Sequence, residues 1–129
     1  MNKQDHISWW IKTAGHDWKA VQNMMKSKDY VHALFFSHLV LEKILKARWI
    51  KDNESNHPPK IHNLQFLVSR IKLVFNESDI DFLGQMNAFQ LDGRYPEYKS
   101  DIYSSYKMKQ TKPIIERVNT IRKWLLQNL

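Results

Sequence analysis

Cysteine is absent from the 129 residues. That excludes a disulfide scaffold, a zinc–thiolate site and a thiol nucleophile, and it agrees with a reducing compartment. Glycine and proline are scarce, at 3 and 4, so the chain has few natural breaks and favours helices. No stretch approaches 18 uninterrupted apolar residues, and the opening MNKQDHISWW lacks the apolar run of a signal peptide. The expected setting is therefore the cytoplasm, with no membrane partner. Acid is also in short supply, with 13 Asp plus Glu against 20 Lys plus Arg and a net charge of +7. What is abundant is apolar: hydrophobic residues make 43% and aromatics 12%, five of them Trp, which excludes a disordered chain. The length predicts one domain, residues 1–129. It suffices for a self-supporting core, since a chain of roughly 150 residues buries about 68–70% of its unfolded surface.

The positive charge is uneven. Residues 1–29 and 30–62 each carry five basic and three acidic groups, residues 63–101 carry four and six, and residues 102–129 carry six and one. A basic face attracts nucleic acid, acidic protein or anionic lipid, or simply keeps a protein soluble.

Periodicity predicts five helices and no strand. Trp10, Ala14, Trp18, Val21 and Met25 line one face of a helix over 5–27, with Asp5 its candidate cap. A second helix, from Tyr30 to about Lys51 with Asp29 as cap, is apolar on most sides and is expected at the centre. Residues 52–61, with Pro58-Pro59, form a loop. Asn63 caps a third helix to about Phe75, and Ser78 with Asp81 resembles a capping box for a fourth that ends near Gln90. Residues 91–110 break the period, with turn signals at Asp92-Gly93 and Pro96 and tyrosines at 95, 98, 103 and 106. Thr111 caps the last helix, with Pro113 in its first turn. The prediction is all-α: an up-and-down bundle of four to five helices with a long non-helical segment before the last helix.

Standard catalytic motifs are missing: Gly15, Gly84 and Gly93 are isolated, and no zinc-binding His-Glu-x-x-His occurs. Four constellations are left. His38, Glu42 and Lys46 stand at i, i+4 and i+8 on the otherwise apolar second helix, where they form either a ladder of side-chain pairs or a phosphate-binding line. His62 sits where the third helix begins and either caps it or joins a site. With His38 and Glu42 it offers three metal-type ligands, but nothing in the spacing fixes their geometry, and neither metal nor cofactor is expected. Arg94-Tyr95-Pro96 follows a turn, where a planar guanidinium suits phosphate or a carboxylate such as Glu42. Last, Lys107, Lys109, Lys112, Arg117, Arg122 and Lys123 interleave with Tyr103, Tyr106 and Trp124, a pattern shared by single-stranded nucleic-acid binders and ordinary solvated faces.

Taken in order, Trp10-x-x-x-Ala14-x-x-Asp17, Tyr30-x-x-Ala33, the run Phe36-Ser37-His38-Leu39-Val40-Leu41-Glu42-Lys43-Ile44-Leu45-Lys46-Ala47, His62-Asn63-Leu64 and Arg94-Tyr95-Pro96 resemble the HEPN domain of prokaryotes, over about residues 8–126. The resemblance implies a helical bundle and a homodimer whose packed helices also form the functional cleft. It further implies a minimal nucleotidyltransferase as partner, in a toxin–antitoxin or related pair. Many members are metal-independent endoribonucleases, with an Arg followed after four to six residues by a His. Here Lys99, Ser100 and Asp101 stand at the positions where that His would follow Arg94, and no other Arg satisfies the spacing.

The leading expectation is a dimeric binding subunit for nucleotide or RNA, using Arg94, Tyr95, His38, Glu42, Lys46 and His62. A divergent ribonuclease with Arg94, His38 or Tyr95 as catalytic candidates is the enzymatic alternative. A purely structural dimer is the third.

Overall fold

The structure is a computed structural model that describes residues 1–90 and 102–129. Six α-helices and one 3₁₀ turn make up its ordered elements, and there is no strand among the described residues: α1 Lys3–Lys26, α2 Tyr30–Asp52, α3 Leu64–Ser69, α4 Glu77–Met86, the turn Asn87–Phe89, α5 Ile102–Ser105 and α6 Met108–Gln127. The all-α bundle expected from the periodicity is therefore what the chain forms.

α1 and α2 are an antiparallel hairpin. Asn2, rather than Asp5, caps α1: its side chain accepts from the Asp5 amide at 2.8 Å, while Asp5 accepts from the Asn2 amide at 3.1 Å. At the hairpin turn Lys28 adopts φ 65°, and the Asp29 amide closes onto the Met24 carbonyl at 2.8 Å. Asp29 gives α2 no side-chain cap, since its carboxylate takes the Ser27 hydroxyl instead. At the far end Lys3 Nζ donates to the carbonyls of Ile50, Asn53 and Glu54, at 2.8, 2.9 and 3.2 Å. A cation there satisfies carbonyls that a helix C-terminus leaves open.

α2 is the axis of the bundle. α1, α6 and α3 all pack on it, so Leu34, Val40, Leu41, Leu45, Ala47 and Ile50 are wholly enclosed. Each enclosed leucine contributes roughly 1.5–3 kcal/mol. α6 lies alongside α2 in the same direction. Phe35, Phe89 and Tyr106 stack at one end, and Arg48 reaches the Asn128 carbonyl at the other.

The return path is more broken than the sequence predicts. Asn63 caps α3 as expected, accepting from the Phe66 amide at 3.1 Å, but α3 stops at Ser69 rather than Phe75. The end of α2 supplies the reason. Asn53 Nδ2 donates to the Arg70 carbonyl and Asp52 Oδ2 accepts from the Lys72 amide, so the side chains that close α2 hold backbone groups that another helical turn would have used. α4 starts earlier than the Ser78 box suggests, because Asn76 accepts from the Asp79 amide at 2.7 Å, and it gives way to the 3₁₀ turn after Met86.

Of the segment ahead of the last helix, the described residues 102–110 are less irregular than predicted. α5 lies within it, and α6 begins three residues before Thr111. The Gln110 side chain accepts from the Lys107 amide at that start. Thr111 is buried inside the helix, and Pro113 sits in the helix interior, where it removes one amide from the hydrogen-bond ladder.

Candidate functional site

The polar line on α2 is buried. Glu42 and Lys46 are each 5% exposed and His38 is 1% exposed. Periodicity explains why the line exists, and the bundle explains why it is enclosed: α1 covers one side of it, while residues 62–63 and the 3₁₀ turn approach from another.

Glu42 is the hub. Its Oε2 accepts from Lys46 Nζ at 3.1 Å, and its Oε1 accepts from His62 Nδ1 at 2.9 Å. His38 Nδ1 stands 3.8 Å from the same Oε1. A carboxylate has only acceptors to offer, so the contact places a proton on His62 Nδ1, and Nε2 is the acceptor of the neutral ring. The His62 side chain is 34% exposed and forms the outward edge of the cluster. Lys46 Nζ also lies 5.6 Å from the Trp10 ring centroid, within cation–π range.

His38 is different. Neither ring nitrogen meets hydrogen-bond geometry with a described residue. Burial pushes its pKa below the ordinary value. The Glu42 carboxylate opposes that, as do the nearby Asn87 side chain and His62 backbone, and the His62 ring adds to the depression. A neutral His38 costs the core less than a charged one. Being enclosed, it supports the cluster from below and cannot meet a solute directly.

The sequence-predicted site is thus brought together at His38, Glu42, Lys46 and His62. Arg94 and Tyr95 lie outside the described residues, as do the turn signals expected at 92–96. Among the described residues, no three His, Asp or Glu side chains converge in a geometry that would hold a metal ion. Two contributors were not expected from the sequence. Trp10 is assigned by its spacing to the core face, yet its ring meets Lys46. Asn87 reads as part of the fourth helix, yet it lies beside His38 and clasps the start of α3, accepting from the Leu64 amide at 2.9 Å. Neither arrangement leaves a signal in the periodicity, because both depend on how separate elements pack.

The basic C-terminal segment is partly consumed by the fold. Arg117 Nη2 donates to the Ser78 hydroxyl at 2.7 Å, and the guanidinium covers the Phe82 ring at 4.6 Å. Arg122 covers Trp18 at 4.7 Å and donates to Asn119.

A family model described as the HEPN domain matches residues 7–129. The chain belongs to the HEPN domain family. This HEPN fold is also similar to a solved crystal structure, that of TT1696 from Thermus thermophilus, with a TM-score of 0.81 and 16% identity over 100% of each chain. At that identity the likeness concerns the fold alone. None of the curated proteins compared with it matches. Within the HEPN chain no described helix is long and apolar enough to cross a membrane.

Proposed function

We propose that this HEPN chain is a dimeric binding subunit for nucleotide or RNA, acting in the cytoplasm with a minimal nucleotidyltransferase in a toxin–antitoxin-like or related pair. The observation that carries the reading is the Glu42 cluster. Taking a carboxylate and an ammonium out of water costs several kcal/mol per ion before their attraction repays it. A leucine in place of each would spare the core that cost, and three groups able to carry positive charge around one carboxylate exceed what a simple ladder needs. In this reading Glu42 orients His62 and Lys46 at the edge of a site for an anionic ligand.

Calorimetric titration with ATP at two salt concentrations tests it. The expected result is salt-weakened binding that falls at least tenfold in His62→Gln, with the fold checked by circular dichroism. Unchanged affinity in that variant, or no binding at low salt, overturns the nucleotide reading. Sedimentation at micromolar concentration is expected to give a dimer.

The Glu42–His62 contact also favours a second reading, a ribonuclease. A carboxylate holding the Nδ1 proton of a half-exposed His is an arrangement used by general bases. Cleavage of total RNA in EDTA that His62→Gln abolishes would move the function to that reading. His38, a catalytic candidate on sequence grounds, is too enclosed to take that role.

A further inference from the structure

The outward face of α1 carries one unbroken pattern. Trp9, Lys12, His16, Lys19, Asn23 and Lys26 are all exposed and are spaced by three, four, three, four and three residues. That spacing sets them in a single stripe, opposite the buried Ile7, Ala14, Trp18 and Val21. At about 1.5 Å of rise per residue the stripe is about 25 Å long, and its three lysines stand about 10.5 Å apart.

Among the described residues nothing neutralises it. Between Trp9 and Lys28 the one acidic residue is Asp17, which is bound to Lys43 at 2.6 Å. Asp5 is bound into the cap of α1. Lys12, Lys19 and Lys26 make no ion pair with any described residue. Two further features lie on or beside the stripe without serving the core. Trp9 is 51% exposed, with its ring edge-to-face on Trp10. Gly15 sits mid-helix, where an added Cβ would meet nothing within 4 Å. A glycine there weakens the helix, and no described neighbour requires it.

We propose that this face of α1 is a docking track for single-stranded nucleic acid. The lysines neutralise phosphates, Trp9 stacks a base, and Gly15 lets the sugar–phosphate backbone come close beside His16. A stacked strand advances roughly 3.4 Å per nucleotide, so one lysine serves about every third phosphate. The other occupants fit less well. A second copy of the same face would set lysine against lysine. A lipid surface needs an apolar face, and Trp9 is the stripe's one large apolar side chain. Protein interfaces are depleted in lysine at their centres. The track concerns a surface separate from the Glu42 cluster.

The test is fluorescence anisotropy of a labelled 20-nucleotide U-rich RNA with the full chain over a salt series. Three proteins are compared with the parent: Lys12→Ser/Lys19→Ser/Lys26→Ser, Trp9→Ala, and Lys109→Ser/Lys112→Ser/Lys123→Ser, which has the same net charge as the first but is altered on α6. The α1 triple variant is expected to lower the slope of log affinity against log salt by about 2, since each phosphate left without its lysine removes about 0.7. Trp9→Ala is expected to weaken binding about tenfold, as the removal of one stacking partner does. The α6 variant is expected to keep the parental slope. Equal losses in both triple variants, or no loss in the α1 variant, would overturn the track. So would α1-dependent binding to phosphatidylserine vesicles in the absence of RNA binding. ATP titration does not involve this face, so failure here leaves the nucleotide reading intact, and the reverse holds.

Discussion

α1 and α6 invite comparison, since both flank α2, both are amphipathic, and both are rich in basic residues. In α6, Arg117 and Arg122 lie across Phe82 and Trp18 and donate to side chains of the bundle. In α1, Lys12, Lys19 and Lys26 are exposed and form no ion pair with any described residue. By composition the C-terminal segment is the more basic of the two, yet a larger share of its charge is committed to packing. Net charge counts groups, and only burial and partners tell which of them are available. Arginine's flat, weakly hydrated head suits the first use, and lysine's mobile ammonium the second.

Five substitutions and one titration probe that division between charge spent inside and charge held outside. The largest effect belongs to the enclosed hub. Glu42→Ala leaves Lys46 without its carboxylate and is expected to cost about 3–5 kcal/mol in urea unfolding. A loss under about 1 kcal/mol would mean that the cluster opens to water. Next comes acid. His38 has a depressed pKa, so the unfolded chain takes up its proton first. Its contribution is complete above the ordinary value of about 6.5 and is lost as pH falls below it, by at most about 1.4 kcal/mol per pH unit. His38→Leu should flatten that part of a stability–pH curve. Arg122→Ala, which strips the cover from Trp18, is expected to cost about 1–2 kcal/mol and to shift tryptophan fluorescence. Gly15→Ala should stabilise by about 0.5–1 kcal/mol, since the site has room for the methyl. Smallest of all, Lys19→Ser should change stability by less than about 0.5 kcal/mol. If Lys19→Ser cost as much as Arg122→Ala, the contrast between the helices would collapse.

Much of the fold was legible because its cause is local. The apolar wrap of α2, the period of α1 and the Asn63 cap are written in adjacent residues. The three polar residues that interrupt α2 also marked the candidate site, because a charged residue on a buried helix needs a reason to be there. What could not be read has non-local causes. The early end of α3 is decided by Asp52 and Asn53 at the tip of α2. The meeting of His62 with Glu42 depends on the loop over residues 53–61 returning across α2. No spacing rule links positions 20 residues apart through such a loop.

The tie between Lys3 and the end of α2 bears on the order in which the molecule is made. A residue near the start of the chain holds the closing carbonyls of a helix that ends fifty residues later. Once residue 54 has left the ribosome, the hairpin has both its turn and its clasp. The side of α2 destined for Val118, Ile121 and Leu125 has no cover until residues 108–127 follow, so the nascent protein passes through a stage with one finished hairpin and one bare apolar flank.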